Sequence, residues 1–509
     1  MRVIIHNDNI DTSFFDKKIK YESTENIDKA LNEIIKNLEK FQDIEAIYIK
    51  DNLSNNYLDF LGIRLTYHIR FSPKLKTVPI IIISELDSLV LNKLTYLAKI
   101  FFTKNTFLIK SSEIEEFKIP KVEFDYEEFL DNIEVKPPKD YLSHHSITNE
   151  WAIDRWASLL KIENETIRKN REKIENMLYY KYLKAKFENK KIHLPESPNT
   201  LKGKILLIDD KKEWGEIIEA YLNKFFPYVE FNFLGGFKRD VKIAEIEEKL
   251  RKKINEFNPD TIILDLRLIN KESNKIKEIS GYKIMKFIKK INPAIQIILF
   301  TASKDSLILN AFFNDIVGYI QKDSPFEKYE GKNSLENFNL VIERALKKRY
   351  LKKFFLITNT IKLLYFDDYH FAKKVKADAN LVFEILNSNI RDSFVYAVYQ
   401  IIKILETITN KLIYFDTSGQ IYRFKFDNTI AYKGKNSLRL KIYSIMKKTN
   451  IYDDEKKELI CEIIEFRNRK IHGGKIKNSH CKDFIEKISQ TNLIAFYEST
   501  FLILKKIKL

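Results

Sequence analysis

The sequence predicts an α/β protein with an all-α extension: two doubly wound parallel sheets, a helical connector and a C-terminal helical bundle. Three observations carry that expectation. Between Lys204 and Pro325, four short apolar runs are separated by helix-patterned segments, and each leads into a polar residue. The first 118 residues repeat this arrangement in worn form. From about Lys352 onward the apolar periodicity is almost entirely helical.

In residues 1–118, VIIHND ends in Asn7 and Asp8, AIYIKDNL carries Asp51, VPIIIIS ends in Ser84, and KIFFTKN supplies Lys104. Phe101 lies three residues before Lys104, and Gly62 opens a helical pattern. Residues 119–202 then read as connector. A polar stretch with Pro137 and Pro138 precedes helix-like sequence from roughly Ser146 to Asn189, fitting a connecting or coiled helix with Trp151 and Trp156. Lys190 to Lys204, with Pro195 and Pro198, reads as a linker. His144 and His145 flank the helix start, where a helix-flanking role outweighs metal binding or phosphotransfer.

Residues 203–348 hold the fuller copy. ILLIDD ends in Asp209 and Asp210, TIILDLRL carries Asp265, IQIILFTAS leads to Thr301, and VGYIQKDSP supplies Lys322. In a doubly wound sheet chemistry collects at the carboxyl ends of the strands, so these five residues are expected to converge. Three crowded carboxylates repel one another and call for a hard cation, and Mg²⁺ takes one or two carboxylates together with phosphate oxygens. One carboxylate can then act as nucleophile on a phosphoryl donor, giving an aspartyl phosphate. The two copies share their spacing: Asp51 to Ser84 is 33 residues and Asp265 to Thr301 is 36. Asp8 to Asp51 is shorter than Asp210 to Asp265, 43 against 55 residues, so a helix or strand is trimmed from the first copy. Asn7 in place of a carboxylate weakens its affinity for Mg²⁺.

In residues and order, about Gly203 to Lys348 resembles the receiver domain of two-component response regulators, which has a flavodoxin-like fold. The resemblance implies that Asp265 is the phosphoacceptor, that Asp209 and Asp210 hold Mg²⁺ with it, that Thr301 reads the phosphoryl group and that Lys322 pairs with it. Tyr319 matches the aromatic switch position. A histidine kinase or another phosphodonor is the implied partner. The one departure is a longer loop after Asp265, INKESNKIKEIS before Gly281. Residues 1–118 then read as a degenerate receiver, with Asp51 either a second phosphoacceptor or part of a docking or dimerisation unit.

Residues 349–509 form the expected output domain. A long amphipathic segment runs from Ala377 to Tyr414, a hairpin is expected around Thr417-Ser418-Gly419, and helical segments resume at Ser437. A helix-turn-helix reader needs two compact helices about a short Gly-containing turn, and none is evident. The string EIIEFRNRKIHGG places Ile460, Ile463, Ile464 and Ile471 on one helical face with Arg467 among them, and Gly473-Gly474 stops the helix after His472. This stretch resembles the HEPN family of helical domains, whose signature is Arg, a polar residue and a His four to six positions on. The resemblance implies a metal-independent endoribonuclease without a cofactor, acting as a homodimer on RNA. Arg467, Asn468 and His472 form its site, with His472 shuttling the proton and Arg467 neutralising phosphorane charge. The alternative is a non-enzymatic phosphorelay or scaffold protein whose C-terminal helices only dimerise or bind RNA or a partner. Signalling input with ribonuclease output suits stress or phage defence, an inference from family habit. Cys461 and the His480-Cys481 pair offer too few ligands for zinc.

Bulk properties bound these readings. The 509 residues carry a formal charge of +17, but the Lys is scattered as AT-rich coding would scatter it, so the charge alone is a weak pointer to nucleic acid. The N-terminus MRVIIHNDN is unlike a signal peptide, and LIAFYESTFLIL is too short to span a bilayer and carries Glu498. Two cysteines suggest a reducing compartment. The expectation is a cytoplasmic protein without membrane attachment.

Overall fold

The computed structural model describes all residues except 8–12, 25, 55, 57, 138–143, 188–194, 196, 239–240, 270–271, 273–274, 303–311, 313–314, 323–333, 389, 391–392, 417–420, 452, 456–457, 461–462, 465–489 and 507–509. Two five-stranded sheets share one topology. The first comprises β1 Arg2–His6, β2 Lys17–Lys20, β3 Ala46–Lys50, β4 Ile80–Ile83 and β5 Thr106–Ile109, in the order β2-β1-β3-β4-β5. The second comprises β6 Gly203–Asp209, β7 Val229–Gly235, β8 Thr261–Asp265, β9 Gln296–Thr301 and β10 Gly318–Gln321, in the order β7-β6-β8-β9-β10. Every neighbouring pair is parallel. The central strands are unbroken apolar runs because both faces are covered; Ile80 to Ile83 are all buried, as are Ile297 to Phe300.

The coverings differ. In the second unit the helices Lys212–Phe225 and Ser334–Lys347 pack on one face, and Ile243–Phe257 and Ser280–Ile291 on the other. In the first unit the helices Ile27–Leu38 and Leu61–Arg70 cover one face. The other face is packed, among the described residues, by an aromatic and aliphatic strap of Phe14, Phe15, Ile114, Phe117 and Ile119. Among the described residues no helix lies between β1 and β2, which is the element removed by the shorter first interval.

The connector departs from a single helix. Helices span Tyr126–Asn132, His144–Leu160, Glu165–Asn176 and Leu178–Phe187. On His144–Leu160, Ile147 and Trp151 enter the core of the first unit, whereas Ala152, Ile153, Trp156 and Ala157 enter that of the second. At 3.6 residues per turn these sets point to opposite sides of the helix, so one element is shared by two cores. The side chains of His144 and His145 lie outside the described residues.

The C-terminal unit is not purely helical. Helices Leu351–Leu363, Tyr369–Asn387, Ser393–Leu412, Leu438–Lys448 and Gln490–Lys506 pack with a three-stranded antiparallel sheet of β11 Ile413–Phe415, β12 Ile421–Phe424 and β13 Ile430–Lys433. The amphipathic segment from Ala377 to Tyr414 divides into two packed helices at Ser388, whose extended φ and ψ end the first of them. β11 and β12 form the expected hairpin and its turn lies outside the described residues. β13 adds a third strand that the helical periodicity of its flanks concealed. The unit meets the second sheet at the amino ends of its strands. Lys352 Nζ lies 3.0 Å from Asp260 Oδ1, just before β8, and Arg349 donates to the Lys202 carbonyl at 2.6 Å, just before β6. No helix among the described residues is long and apolar enough to cross a membrane.

Candidate functional site

The parallel register brings four strand ends to one edge of the second sheet. Asp209 is the last residue of β6, Asp265 of β8 and Thr301 of β9, while Lys322 follows β10 and Asp210 follows Asp209. Asp209, Asp265, Thr301 and Lys322 are all fully buried. Lys322 Nζ donates to Asp209 Oδ2 at 2.9 Å and to Asp265 Oδ1 at 3.1 Å. One carboxylate oxygen from each of Asp209, Asp210 and Asp265 lies within 4.8 Å of the others.

Charge dominates the pocket. Burial pushes the Asp265 carboxyl up to about 6, against the pull of Lys322. Asp209 is raised for the same reason. Burial works against the Lys322 ammonium, but the three carboxylates outweigh it and raise its pKa. Lys211 Nζ lies 3.5 Å from Asp210 Oδ2, yet Asp210 Oδ1 and Asp265 Oδ2 are buried without a hydrogen-bond partner. Orphaned carboxylate oxygens in a cluster are the donor set a hard dication takes, so these residues fit Mg²⁺.

Two aromatic residues that sequence reasoning passed over complete the pocket. The Lys322 ammonium rests 4.8 Å from the Phe300 ring centroid and 5.3 Å from that of Trp214. Trp214 stands four residues after Asp210, one helical turn from the acids, which was the available signal. Tyr319, at the aromatic position three residues before Lys322, is 45% exposed. The long loop after Asp265 is organised by Glu272. Its carboxylate accepts the backbone N–H groups of Leu268 at 3.2 Å, Ile269 at 3.3 Å and Ser280 at 3.0 Å, and also the Ser280 hydroxyl. It thereby caps the helix Ser280–Ile291, favourable for an anion at a helix N-terminus.

Among its described residues the first unit does not assemble this set. Asp51 Oδ2 accepts the Ser84 hydroxyl at 2.5 Å, and Asp51 Oδ1 accepts the Asn52 N–H at 2.7 Å. Asp8 lies outside the described residues. Lys104 does not reach the pocket: it precedes β5, is exposed and pairs with Glu128 at 2.7 Å. The residue that follows β5, as Lys322 follows β10, is Lys110, and it is also exposed. Phe101 belongs to the 3-10 helix Tyr96–Phe102 and not to a strand end. KIFFTKN and VGYIQKD match by residue type, yet Lys104 stands before its strand and Lys322 after its own.

In the C-terminal unit Ile460, Ile463 and Ile464 are buried. Arg467, Asn468 and His472 lie outside the described residues, as do Ile471 and the Gly473-Gly474 stop.

Residues 2–109 match the family described as Inactive Receiver domain. No curated protein matches the chain. The unit with no ammonium beside its aspartate among the described residues is thus similar to receivers of the inactive kind, the domain type of response-regulator-like signalling proteins.

Proposed function

We propose that the chain is a response-regulator-like signalling protein whose second unit accepts a phosphoryl group on Asp265, from a histidine kinase or another phosphodonor. The observation that carries this reading is the buried Lys322 bridging Asp209 and Asp265 while Asp210 Oδ1 and Asp265 Oδ2 stay unpaired. Asp209, Asp210 and Asp265 would hold Mg²⁺, which when bound neutralises charge on the phosphoryl oxygens. An Asp265 carboxylate oxygen forms the new bond to phosphorus, the donor's bond to phosphorus breaks, and its electron pair leaves with the donor group. Lys322 turns its ammonium to the incoming oxygens, and the Thr301 hydroxyl donates to one of them. The first unit works without phosphorylation at Asp51, as a docking module. Asn7 in place of an acid and the exposure of Lys104 and Lys110 support that role.

The C-terminal unit is the output. On the resemblance of its motif, Arg467, Asn468 and His472 cleave RNA in a homodimer without a metal, His472 taking the 2′-hydroxyl proton and Arg467 neutralising the phosphorane. Burial of Ile460, Ile463 and Ile464 supports the helical face on which Arg467 was placed.

The receiver assignment is tested by labelling. A small-molecule phosphodonor with Mg²⁺ is expected to label the wild type, Asp265→Asn to remove most of the label, and Asp51→Asn to leave it. Label that persists in Asp265→Asn and disappears in Asp51→Asn would overturn the assignment.

A further inference from the structure

The pocket of the second unit and the connector helix are joined by an unbroken aromatic stack. Trp156, fully buried, sits between the first and last helices of that unit, 5.5 Å from the Trp214 ring at 88° and 5.3 Å from the Phe338 ring at 74°. It also lies 5.9 Å from Phe300, and Trp214 and Phe300 are themselves 4.7 Å apart, edge to face. Two turns before Trp156, Asn149 accepts the Trp214 indole N–H through Oδ1 at 3.2 Å. Lys322 rests on the same two rings, Trp214 and Phe300. A single layer of rings therefore separates the ammonium that neutralises the acids from the connector.

The far side of the connector is anchored as firmly. Asp28 accepts Arg64 Nε at 2.7 Å and Nη2 at 2.9 Å, and also the backbone N–H of Leu178 at 3.1 Å. Asn32 donates to the Asn176 carbonyl at 2.8 Å. Asn176 and Leu178 are the junction between the last two connector helices, which the first unit thus grips by both strands of the turn. Within the connector, Glu150 ties His144–Leu160 to the following helices through Lys173 at 2.6 Å and Tyr180 at 2.6 Å.

We propose that the helix His144–Leu160 is the internal reader of the acidic pocket: a divalent cation or phosphoryl group there displaces Lys322, Trp214 and Phe300 repack against Trp156, and the first unit receives the change. This rests on the reading of Asp209, Asp210 and Asp265 as the Mg²⁺ and phosphoryl site. A dication among the three acids repels the ammonium, and a phosphoryl group on Asp265 attracts it to new oxygens. Either movement changes a cation–π contact made in a water-poor interior, where such contacts are strongest. Closely packed rings do not deform continuously, so the layer shifts as a unit. The input of the second unit is then delivered to the inactive one rather than only along the chain to the C-terminal unit.

Linkage makes this measurable, because a contact that senses the cation must alter its affinity by the same factor. The experiment titrates Mg²⁺ into the full-length chain by calorimetry and follows hydrogen exchange over residues 147–157 and 174–183. The wild type is expected to bind Mg²⁺ and to change its exchange in both segments when Mg²⁺ and beryllofluoride are added. Trp156→Leu is expected to shift Mg²⁺ affinity about five-fold or more and to lose the response in 174–183. Asn149→Ala removes one hydrogen bond to Trp214, leaves the packing in place and is expected to shift affinity in the same direction by less. Unchanged affinity in both variants, with no exchange response in the wild type, would overturn the proposal while leaving the metal site intact. A wild type that binds no Mg²⁺ would overturn both readings.

Discussion

Residue by residue, the first unit closes its buried charges on one another, Asp28 meeting His68 and Arg64. Burial pushes the Asp28 carboxyl up, but the hydrogen bonds and charges of His68 and Arg64 outweigh it and hold it well below the usual carboxylate range. Burial pushes the His68 imidazole down to about 4, against the pull of Asp28, so at neutral pH it is uncharged and presents Nε2 to Asp28 at 3.2 Å. A histidine whose pKa is lower folded than unfolded binds more protons when unfolded. Its contribution is therefore present above the unfolded value of 6.5 and lost as pH falls from there toward 4. The expected result is a loss of about 3 kcal/mol across that window for this group. Hydrogen exchange over residues 61–70 reads it for this unit, and His68→Gln should flatten that profile. An equally steep profile in the variant would assign the pH dependence to other groups. None of this was legible from sequence, where His68 stands in a helical run without a motif. Asp28 is 40 positions away.

At the scale of elements, the repeat is clearest where the backbone itself is the ligand. Gly62 and Gly281 open equivalent helices, and the Gly62 N–H donates to the Asp51 carbonyl at 3.0 Å as the Gly281 N–H donates to Leu266 at 3.0 Å. A Cβ on Gly281 would stand 2.6 Å from the Leu266 carbonyl oxygen and 2.7 Å from that of Asp265. Backbone cannot yield as a flexible side chain can, so Gly281→Ala should displace the end of β8 and cost about 1–3 kcal/mol. The expected outcome is a lowered unfolding midpoint together with slower labelling of Asp265. Normal labelling kinetics would mean that the helix moves instead of the strand. The pairing of these glycines was readable because each opens a helical pattern after its aspartate. The register of β5 was not, since an exposed lysine and a buried one read alike in sequence.

For the whole molecule, the two ends of the second sheet face different neighbours. The acids open at the carboxyl ends of the strands, while Lys352 and Arg349 fasten the C-terminal unit to the amino ends. The helix Ser334–Lys347 leads almost directly into Leu351–Leu363, so it is the direct covalent route to the C-terminal unit. Beryllofluoride with Mg²⁺ is expected to change both the sedimentation of the full chain and its rate of RNA cleavage, and His472→Ala to abolish cleavage with the fold intact. Equal cleavage by variant and wild type would remove the ribonuclease reading in favour of a scaffold. Unchanged sedimentation and cleavage with the mimic bound would show that this receiver is not the switch for that output.

The sequence by itself determined the two parallel sheets and the convergence of Asp209, Asp210, Asp265, Thr301 and Lys322. Buried strands must be continuously apolar and their polar ends must reach one edge, so local pattern carries that information. It also pointed to a degenerate first copy, through Asn7 and the shortened interval from Asp8 to Asp51. Tertiary structure alone decided that Lys104 faces solvent, that a third strand joins the C-terminal hairpin, and that one connector helix lends opposite faces to two cores. These depend on which distant surfaces meet. A helix with apolar residues all round, such as Ile147 to Ala157, records that it is buried but not by what.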